Sequence, residues 1–167
     1  MRRVAEREKA IDVFKAVSRV LMGWMFFWPF LDKMFGLGHE TPAGMGLIDG
    51  VSPSSFVNLV ADGWFKDFFI SIGGNPATDF LLMAGLLLIG VTMILGITSK
   101  ITTVAGCAFC FVMYLLQFPP QPTLLFDYHF VYILFIVALY LLGTYNSYSL
   151  MKWWKKAPIV KDHPVLQ

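Results

Sequence analysis

Charge is scarce in this chain. Asp, Glu, Lys and Arg make up 14% of its 167 residues, whereas about a quarter of an ordinary soluble domain is charged. The net charge is only +2, which gives no reason to expect nucleic-acid binding. Two cysteines cannot build a disulfide framework, and the spacing of the residues matches no haem-attachment motif and no closed metal site. A membrane protein is the class that these absences leave open.

Long apolar runs support that class. Residues 80–99, 101–126 and 130–151 contain no charged side chain, and a helix needs about 20 apolar residues to cross roughly 30 Å of hydrocarbon. A further run has Arg19 near one end and Asp32 and Lys33 near the other, where charges can reach the membrane interfaces. We therefore predict an all-α integral membrane protein, a four-transmembrane-helix bundle. The predicted spans are 16–37, 78–98, 101–118 and 128–148.

The segment between the first two predicted spans is too polar to cross a bilayer. Its apolar residues recur every four positions at Phe56, Val60, Trp64, Phe68 and Ile72. One apolar stripe at this spacing is typical of an amphipathic helix. We predict such a helix over 53–72, lying on the membrane surface or packed across the bundle.

The distribution of basic residues predicts the orientation. Of the thirteen Lys and Arg residues, only Lys33 and Lys66 fall on the side opposite the chain termini in the four-span arrangement. Cytoplasmic loops carry the excess of basic residues in membrane proteins. We therefore expect a multi-pass protein of the plasma (inner) membrane with both termini in the cytoplasm.

Four ionisable residues are predicted to meet at one end of the bundle. Asp32 and Lys33 lie near the end of the first span, and Asp127 and His129 lie at the start of the fourth. Charges near the membrane core usually pair or face water, so we expect Lys33 to pair with Asp127 and Asp32 with His129. Such a cluster is either a structural latch between helices or a site for an anion or for proton transfer.

Two other groups of residues have a functional and a structural interpretation. Cys107 and Cys110 form a C-x-x-C sequence, which is either a redox pair or two small packing residues in the middle of a span. His39 and Glu40 can join a metal site, but solvated loop residues explain them as well. We favour packing for the cysteines and expect no metal.

Aromatic and amide side chains suggest a binding slot. We predict a slot for a flat lipid-soluble ring such as a quinone, lined by Trp24, Trp28, Phe109, Tyr114, Gln117 and Phe118. Aromatic residues of membrane proteins also serve as interface anchors or packing groups. Both interpretations remain open at this point.

The order of these features resembles the DoxX family, and in particular its DoxD-like branch, the small membrane subunit of thiosulfate:quinone oxidoreductase. The resemblance is carried by RVLMGWMFF at 19–27 followed by Lys33, by GLLLIGVTMILGITSK at 85–100, and by DYHFVYIL at 127–134. Many members have a glutamate where this chain has Leu86. The resemblance implies a four-helix membrane protein in sulfur-compound oxidation or membrane redox homeostasis, with quinone as electron acceptor.

Three functions follow from this reading. The first is a component of a quinone-linked oxidoreductase that acts on a small sulfur anion such as thiosulfate. Lys33 would then attract the anion, His129 with Asp127 would move protons, and a partner subunit would supply the missing redox centre. The second is a non-enzymatic accessory or scaffold subunit, which predicts a fully paired and closed polar cluster. The third is a small carrier or lipid-handling protein, acting as a homo-oligomer, which needs a polar path past Pro29 toward Arg19.

Overall fold

The computed structural model describes residues 2–121 and 125–166, and throughout those ranges every regular element is helical. The α-helices are α1 (Arg2–Phe35), α2 (Val57–Val60), α3 (Lys66–Ile72), α4 (Pro76–Leu95), α5 (Ser99–Leu115), α6 (Tyr128–Leu141), α7 (Met151–Trp154) and α8 (Pro158–Asp162). Short 3₁₀ turns lie at Leu47–Asp49, Pro53–Phe56, Gly63–Phe65, Thr144–Asn146 and Pro164–Leu166. The predicted all-α class is confirmed.

The four long helices pack as two close pairs. α1 lies against α4 and α5 lies against α6, while α4 also contacts α5. Glycines let the first pair approach closely: a Cβ on Gly23 would lie 2.9 Å from the backbone N of Ile94, and a Cβ on Gly90 would lie 2.8 Å from that of Phe27. Small residues permit such backbone contact between helices. The core between the helices contains Met22, Phe26, Leu82, Leu86, Ile89, Met93, Cys110, Ile136 and Leu139.

The helix lengths bear on the predicted spans. Within the described part of the chain, α4 alone is both long and apolar enough to cross a membrane, with 20 residues. α5 and α6 are apolar but have 17 and 14 residues, and α1 begins well before the predicted span and carries charged residues in its first half. The arrangement of four spans therefore stays a prediction.

A local signal places the start of α4 close to the predicted one. The side chain of Asn75 caps α4 by accepting a hydrogen bond from the backbone N of Ala77 at 2.9 Å, directly before Pro76. α1 continues through Pro29 without a break in the helix. α6 ends at Leu141, so the fourth predicted span, 128–148, includes a non-helical stretch and a 3₁₀ turn in its last third.

The single amphipathic helix predicted over 53–72 is wrong. The segment divides into two short helices, α2 and α3, because the backbone becomes extended at Ala61 and Asp62 and Gly63 has a φ of +77°. The N–H of Asp62 donates to the carbonyl of Leu116 and that of Trp64 donates to the carbonyl of Phe118. Hydrogen bonds to the far end of α5 therefore replace those of a continuous helix.

The beginning of this segment is tied to α4. Asp79 accepts hydrogen bonds from Ser52 Oγ at 2.7 Å and from the backbone N of Ser54 at 2.8 Å. Ser54 Oγ in turn accepts from the backbone N of Gly74 at 2.9 Å. Because residues 52–65 are held to α4 at one end and to the end of α5 at the other, they form a roof over one end of the bundle.

Candidate functional site

A cavity of about 520 Å³ lies under this roof, surrounded by α1, α4, α5 and α6. Its volume falls within the range of small-molecule sites, roughly 300 to 1,000 Å³. Its polar lining consists of Lys33, Glu40, Gln117, Tyr128, His129 and Tyr132. Its apolar lining includes Phe26, Pro29, Leu82, Leu86, Phe109 and Met113. A few polar groups on mainly apolar walls are the usual composition of a site for an organic ligand.

Lys33 projects from α1 into this cavity with only 8% of its side chain exposed. Its Nζ lies 3.5 Å from Oε2 of Glu40, whose side chain is 74% exposed, and 4.5 Å from the centre of the Phe56 ring. The expected partner was Asp127, so that pairing is not the one formed. The ammonium group instead lies between an aromatic face and a solvent-facing carboxylate, which places a nearly buried positive charge on the cavity wall.

Asp32 holds the loop that follows α1. Its side chain is 1% exposed and accepts hydrogen bonds from the backbone N of Thr41 at 2.7 Å and of His39 at 3.3 Å. The expected partner was His129, and the structure gives Asp32 these backbone partners instead. Because Glu40 lies between the two donors, Asp32 fixes the position of the carboxylate that pairs with Lys33.

His129 and Asp127 form a pair at the start of α6. Nδ1 of His129 lies 2.6 Å from Oδ2 of Asp127, and Oδ1 of Asp127 caps α6 by accepting from the backbone N of Phe130. Asp127 is therefore oriented by the helix and in turn orients the imidazole ring. With Nδ1 engaged, Nε2 is the ring atom left for a ligand, and His129 lines the cavity.

The structure divides the six residues of the predicted slot: Phe109 and Gln117 line the cavity, and Trp24, Trp28, Tyr114 and Phe118 do not. Gln117 lines the cavity and its Nε2 donates to the carbonyl of Val60 in the roof at 3.2 Å. Trp24 and Trp28 stack on each other with ring centres 5.7 Å apart, away from the cavity lining. Tyr114 lies behind the wall, where its hydroxyl donates to the carbonyl of Leu125 at 2.6 Å.

Two other lining residues, Phe26 and Tyr132, were not identified from the sequence. Phe26 and Phe109 meet edge to face with centres 5.8 Å apart, and Tyr132 lies one turn after His129 in α6. Their spacing was a usable signal, because Phe26 with Lys33 and His129 with Tyr132 each lie on one helix face. Leu86, where many DoxX members have a glutamate, also lines the cavity and is 4% exposed.

The two cysteines differ in position. Cys110 is buried in the core and contributes to the cavity lining, whereas Cys107 points toward α6 with its Sγ 3.9 Å from the carbonyl of Ile133. Both are free thiols in the interior of the bundle. Across the described residues, no three His, Cys, Asp or Glu side chains are grouped so that they could hold a metal.

The opposite end of the bundle contains a second buried cation. Arg19 is fully buried, its Nη2 donates to the carbonyl of Tyr148 at 3.1 Å, and its guanidinium lies 5.8 Å from the centre of the Tyr145 ring. Nε and Nη1 have no hydrogen-bond partner among the described residues. Met22 and Phe26 lie on α1 between Arg19 and Lys33 and belong to the apolar core, so the two cations are separated by packed hydrocarbon.

In comparisons with models of protein families, with curated proteins and with solved structures, nothing matches this chain.

Proposed function

We propose that this chain is a membrane-embedded quinone-binding protein and a component of a quinone-linked oxidoreductase. The cavity is the observation that carries the proposal, because it combines an apolar interior between Phe26, Leu86 and Phe109 with polar groups at one end. A quinone has the same division, with an apolar ring and two carbonyl oxygens. Nζ of Lys33 and the imidazole of His129 supply hydrogen-bond donors for those oxygens.

Exposed apolar side chains support a membrane location. The long helices present large hydrophobic residues to the surroundings, including Leu81 and Leu88 of α4, Val104 of α5 and Leu141 of α6. Only 33% of the apolar window of α4 is buried inside the chain, which is unlike the core helix of a soluble protein. Soluble monomers rarely expose so much contiguous apolar surface. The proposal includes four spans, with both termini cytoplasmic and the cavity toward the outer face of the plasma membrane.

The His129–Asp127 pair delivers one of the two protons that quinone reduction consumes, and solvent beside the exposed Glu40 supplies the second and then reprotonates His129. A quinone that accepts two electrons also takes up two protons to become a quinol. When His129 is protonated, its Nε2–H can donate to a reduced quinone oxygen while Asp127 stabilises the imidazolium through Nδ1. The geometry of the pair, at 2.6 Å, suits a proton carrier that is held in one orientation by its neighbour.

The electrons must come from a reduced substrate, and we propose a small sulfur anion such as thiosulfate, oxidised by a partner subunit. The resemblance to the DoxX family supports this choice, and the positive charge of Lys33 beside the exposed Glu40 agrees with an anion approaching this end. Cys107 and Cys110 are a poor redox pair for the step, because both are interior thiols and Cys110 is 2% exposed.

The two alternatives are less well supported. A scaffold subunit fits the paired ionisable groups, but it gives no reason for a cavity of about 520 Å³ between them. A carrier needs a polar path from Lys33 to Arg19, and the apolar core around Met22, Phe26 and Ile136 lies in its way. Ligand binding explains both the pairs and the cavity.

A binding measurement tests the proposal. The purified protein in lipid nanodiscs is titrated with a benzoquinone that has no isoprenoid tail, and tryptophan fluorescence reports binding. Lys33→Met should raise the Kd about tenfold or more, because a hydrogen bond from a charged group contributes about 1.5 to 3 kcal/mol. Lys100→Met, which removes an exposed lysine from the other end of the bundle, is the matched control and should leave the Kd unchanged.

The sulfur substrate needs a separate assay. In native membranes that hold the partner proteins, thiosulfate-dependent quinone reduction should fall at least tenfold in Lys33→Met and in His129→Gln. Unaltered rates in both variants would remove thiosulfate from the proposal. Unaltered quinone binding in Lys33→Met would remove the quinone site itself.

A further inference from the structure

A second hollow runs along the bundle between α4 and α5. This groove has a volume of about 650 Å³ and is walled by α4 residues such as Gly85 and Leu88 and by α5 residues such as Ala105, Ala108 and Val112. It is open along one side, because Leu88 at its edge is 61% exposed. The groove lies outside the cavity described above and is not used by the proposed chemistry.

The cavity and the groove share a wall. The side chains that line both are Phe56, Leu82, Phe109, Met113 and Leu116. One layer of apolar side chains therefore separates the ring site from the groove. Methionine is unbranched and rotates about three bonds, so a change of rotamer at Met113 can open this layer without moving a helix.

The groove offers hydrocarbon to a ligand. The hydroxyls of two threonines in the groove are engaged, since Oγ1 of Thr92 donates to the carbonyl of Leu88 at 2.6 Å and Oγ1 of Thr102 donates to Oγ1 of Thr92 at 2.8 Å. Gly85 lets the ring of Phe109 pack close to α4, since a Cβ there would lie 3.1 Å from Cδ2 of the ring, and the small side chains of Ala105 and Ala108 line the α5 side of the groove. A ligand portion that fits here is apolar and long rather than polar and compact.

We infer that a single ligand occupies both spaces, with its quinone ring in the cavity and its isoprenoid tail in the groove. The tail passes through the shared layer beside Phe109 and Met113. Thr78 and Thr92 mark the extent of the groove on α4, about 21 Å at the helical rise of 1.5 Å per residue, and the open side lets a longer chain continue into lipid. The inference rests on the proposed function and adds the place of the tail to it.

The rival occupant is the acyl chain of a membrane phospholipid. The shared wall favours the quinone tail, because the junction between polar and apolar lining lies directly beside the ring site. A phospholipid headgroup would need a charged partner at an end of the groove, but none of the described residues that line the groove is charged, whereas Lys33 and Glu40 line the cavity. The two occupants differ in one testable respect: only the quinone tail is displaced when the ring site is filled.

The first experiment compares two quinones in nanodiscs, one without a tail and one with a long isoprenoid tail. The readout is the Kd of the tail-free quinone divided by the Kd of the tailed quinone. It is measured in the same lipid so that each variant is compared with the original chain. Gly85→Leu and Ala108→Leu fill the groove and should reduce the ratio at least fivefold. Ala84→Leu adds the same bulk to α4 at a position that lines neither space and should leave the ratio unchanged. Ala108 is exposed, so its variant tests the groove even if Gly85→Leu folds poorly.

The second experiment uses a quinone with a photoreactive diazirine on its tail. Crosslinks should map to groove residues such as Leu88 and Val112, and an excess of tail-free quinone should remove them. Crosslinks that persist under this competition would mean that the tail enters the groove independently of the ring site, as the acyl chain of a lipid would, and they would overturn the inference. If the tail-free quinone still binds and the Kd ratio is equal in all variants, the inference is overturned while the ring site stands. Loss of all quinone binding would end the proposed function and this inference together.

Discussion

The two ends of the bundle each bury a cation from α1, but they do so differently. Lys33 lies over an aromatic ring, faces a carboxylate that is mostly in solvent, and lines a cavity. Arg19 also lies beside an aromatic ring, yet it is fully buried and, among the described residues, has a single carbonyl as its hydrogen-bond acceptor. The comparison teaches that burial of a charge does not by itself indicate a binding site. Space beside the charge distinguishes the Lys33 end.

Each end of the bundle contains a glycine with a positive φ that allows a neighbouring group to approach closely. Gly63, with φ +77°, lets the roof approach the carbonyl of Phe118, and Gly96, with φ +70°, gives room to the guanidinium of Arg19. In both places a Cβ would overlap the neighbouring group. At the Lys33 end this close approach covers a cavity, and at the Arg19 end it completes a tightly packed closure.

The largest expected effect comes from disrupting the packing around Arg19. Gly96→Ala places a methyl group on Nη1 of Arg19 and in a left-handed conformation, so the free energy of unfolding should fall by about 3 kcal/mol or more. The measurement is thermal unfolding in detergent. Gly74→Ala is the matched control, because Gly74 also has a positive φ, +80°, but has open space around it.

The control isolates the backbone strain, which costs roughly 1 to 2 kcal/mol. A loss in Gly96→Ala that does not exceed the loss in Gly74→Ala would mean that Arg19 is not tightly held and would weaken the contrast between the two ends.

A smaller effect is expected at Asp32. Asp32→Asn keeps the shape of the side chain but weakens the acceptor for the N–H groups of Thr41 and His39, so stability should fall by about 1 to 2 kcal/mol. The loop that carries Glu40 should then loosen. Thermal unfolding measures the first result, and faster amide exchange at residues 39–41 measures the second. Unchanged exchange there would show that other contacts hold the loop.

The smallest effect on stability is expected from Glu40→Gln. The carboxylate is 74% exposed and lies 3.5 Å from Nζ of Lys33, so solvent screens its interaction with the nearly buried ammonium group, and Tm should change little. Lys33, however, loses its anionic neighbour, and an inorganic anion such as thiosulfate should bind more tightly, by about two- to fivefold. Calorimetric titration with thiosulfate measures this change, and equal affinity in both proteins would remove Glu40 as a competitor for Lys33.

The helices were predictable to the extent that their signals are local. Apolar runs and the Asn75–Pro76 start placed α4 within a few residues, and the cluster of Lys33 and His129 followed from their positions at the ends of two helices. The ion-pair and hydrogen-bond partners of Lys33 and His129 could not be predicted from these local signals. Glu40 reaches Lys33 through a loop that Asp32 folds back by backbone hydrogen bonds, and apolar periodicity carries no information about such a loop.

The prediction of a single helix over 53–72 failed for a similar reason. Its four-residue repeat is that of a helix, but two of its N–H groups bond to carbonyls at the end of α5. Contacts between residues more than fifty positions apart overrode the local preference. The cavity itself depends on how four helices and this roof converge, so only part of its lining was visible in the residue spacing.

The hydrogen bonds from Asp62 and Trp64 to the end of α5 have a practical consequence. These two amides join the cover of the cavity to one of its walls, so a ligand that enters by lifting the cover breaks both hydrogen bonds, whereas a ligand that enters between the helices leaves them intact. Deuterium uptake at these positions therefore distinguishes the two routes of entry, without any chemical label and independent of whether the bound molecule is ever turned over.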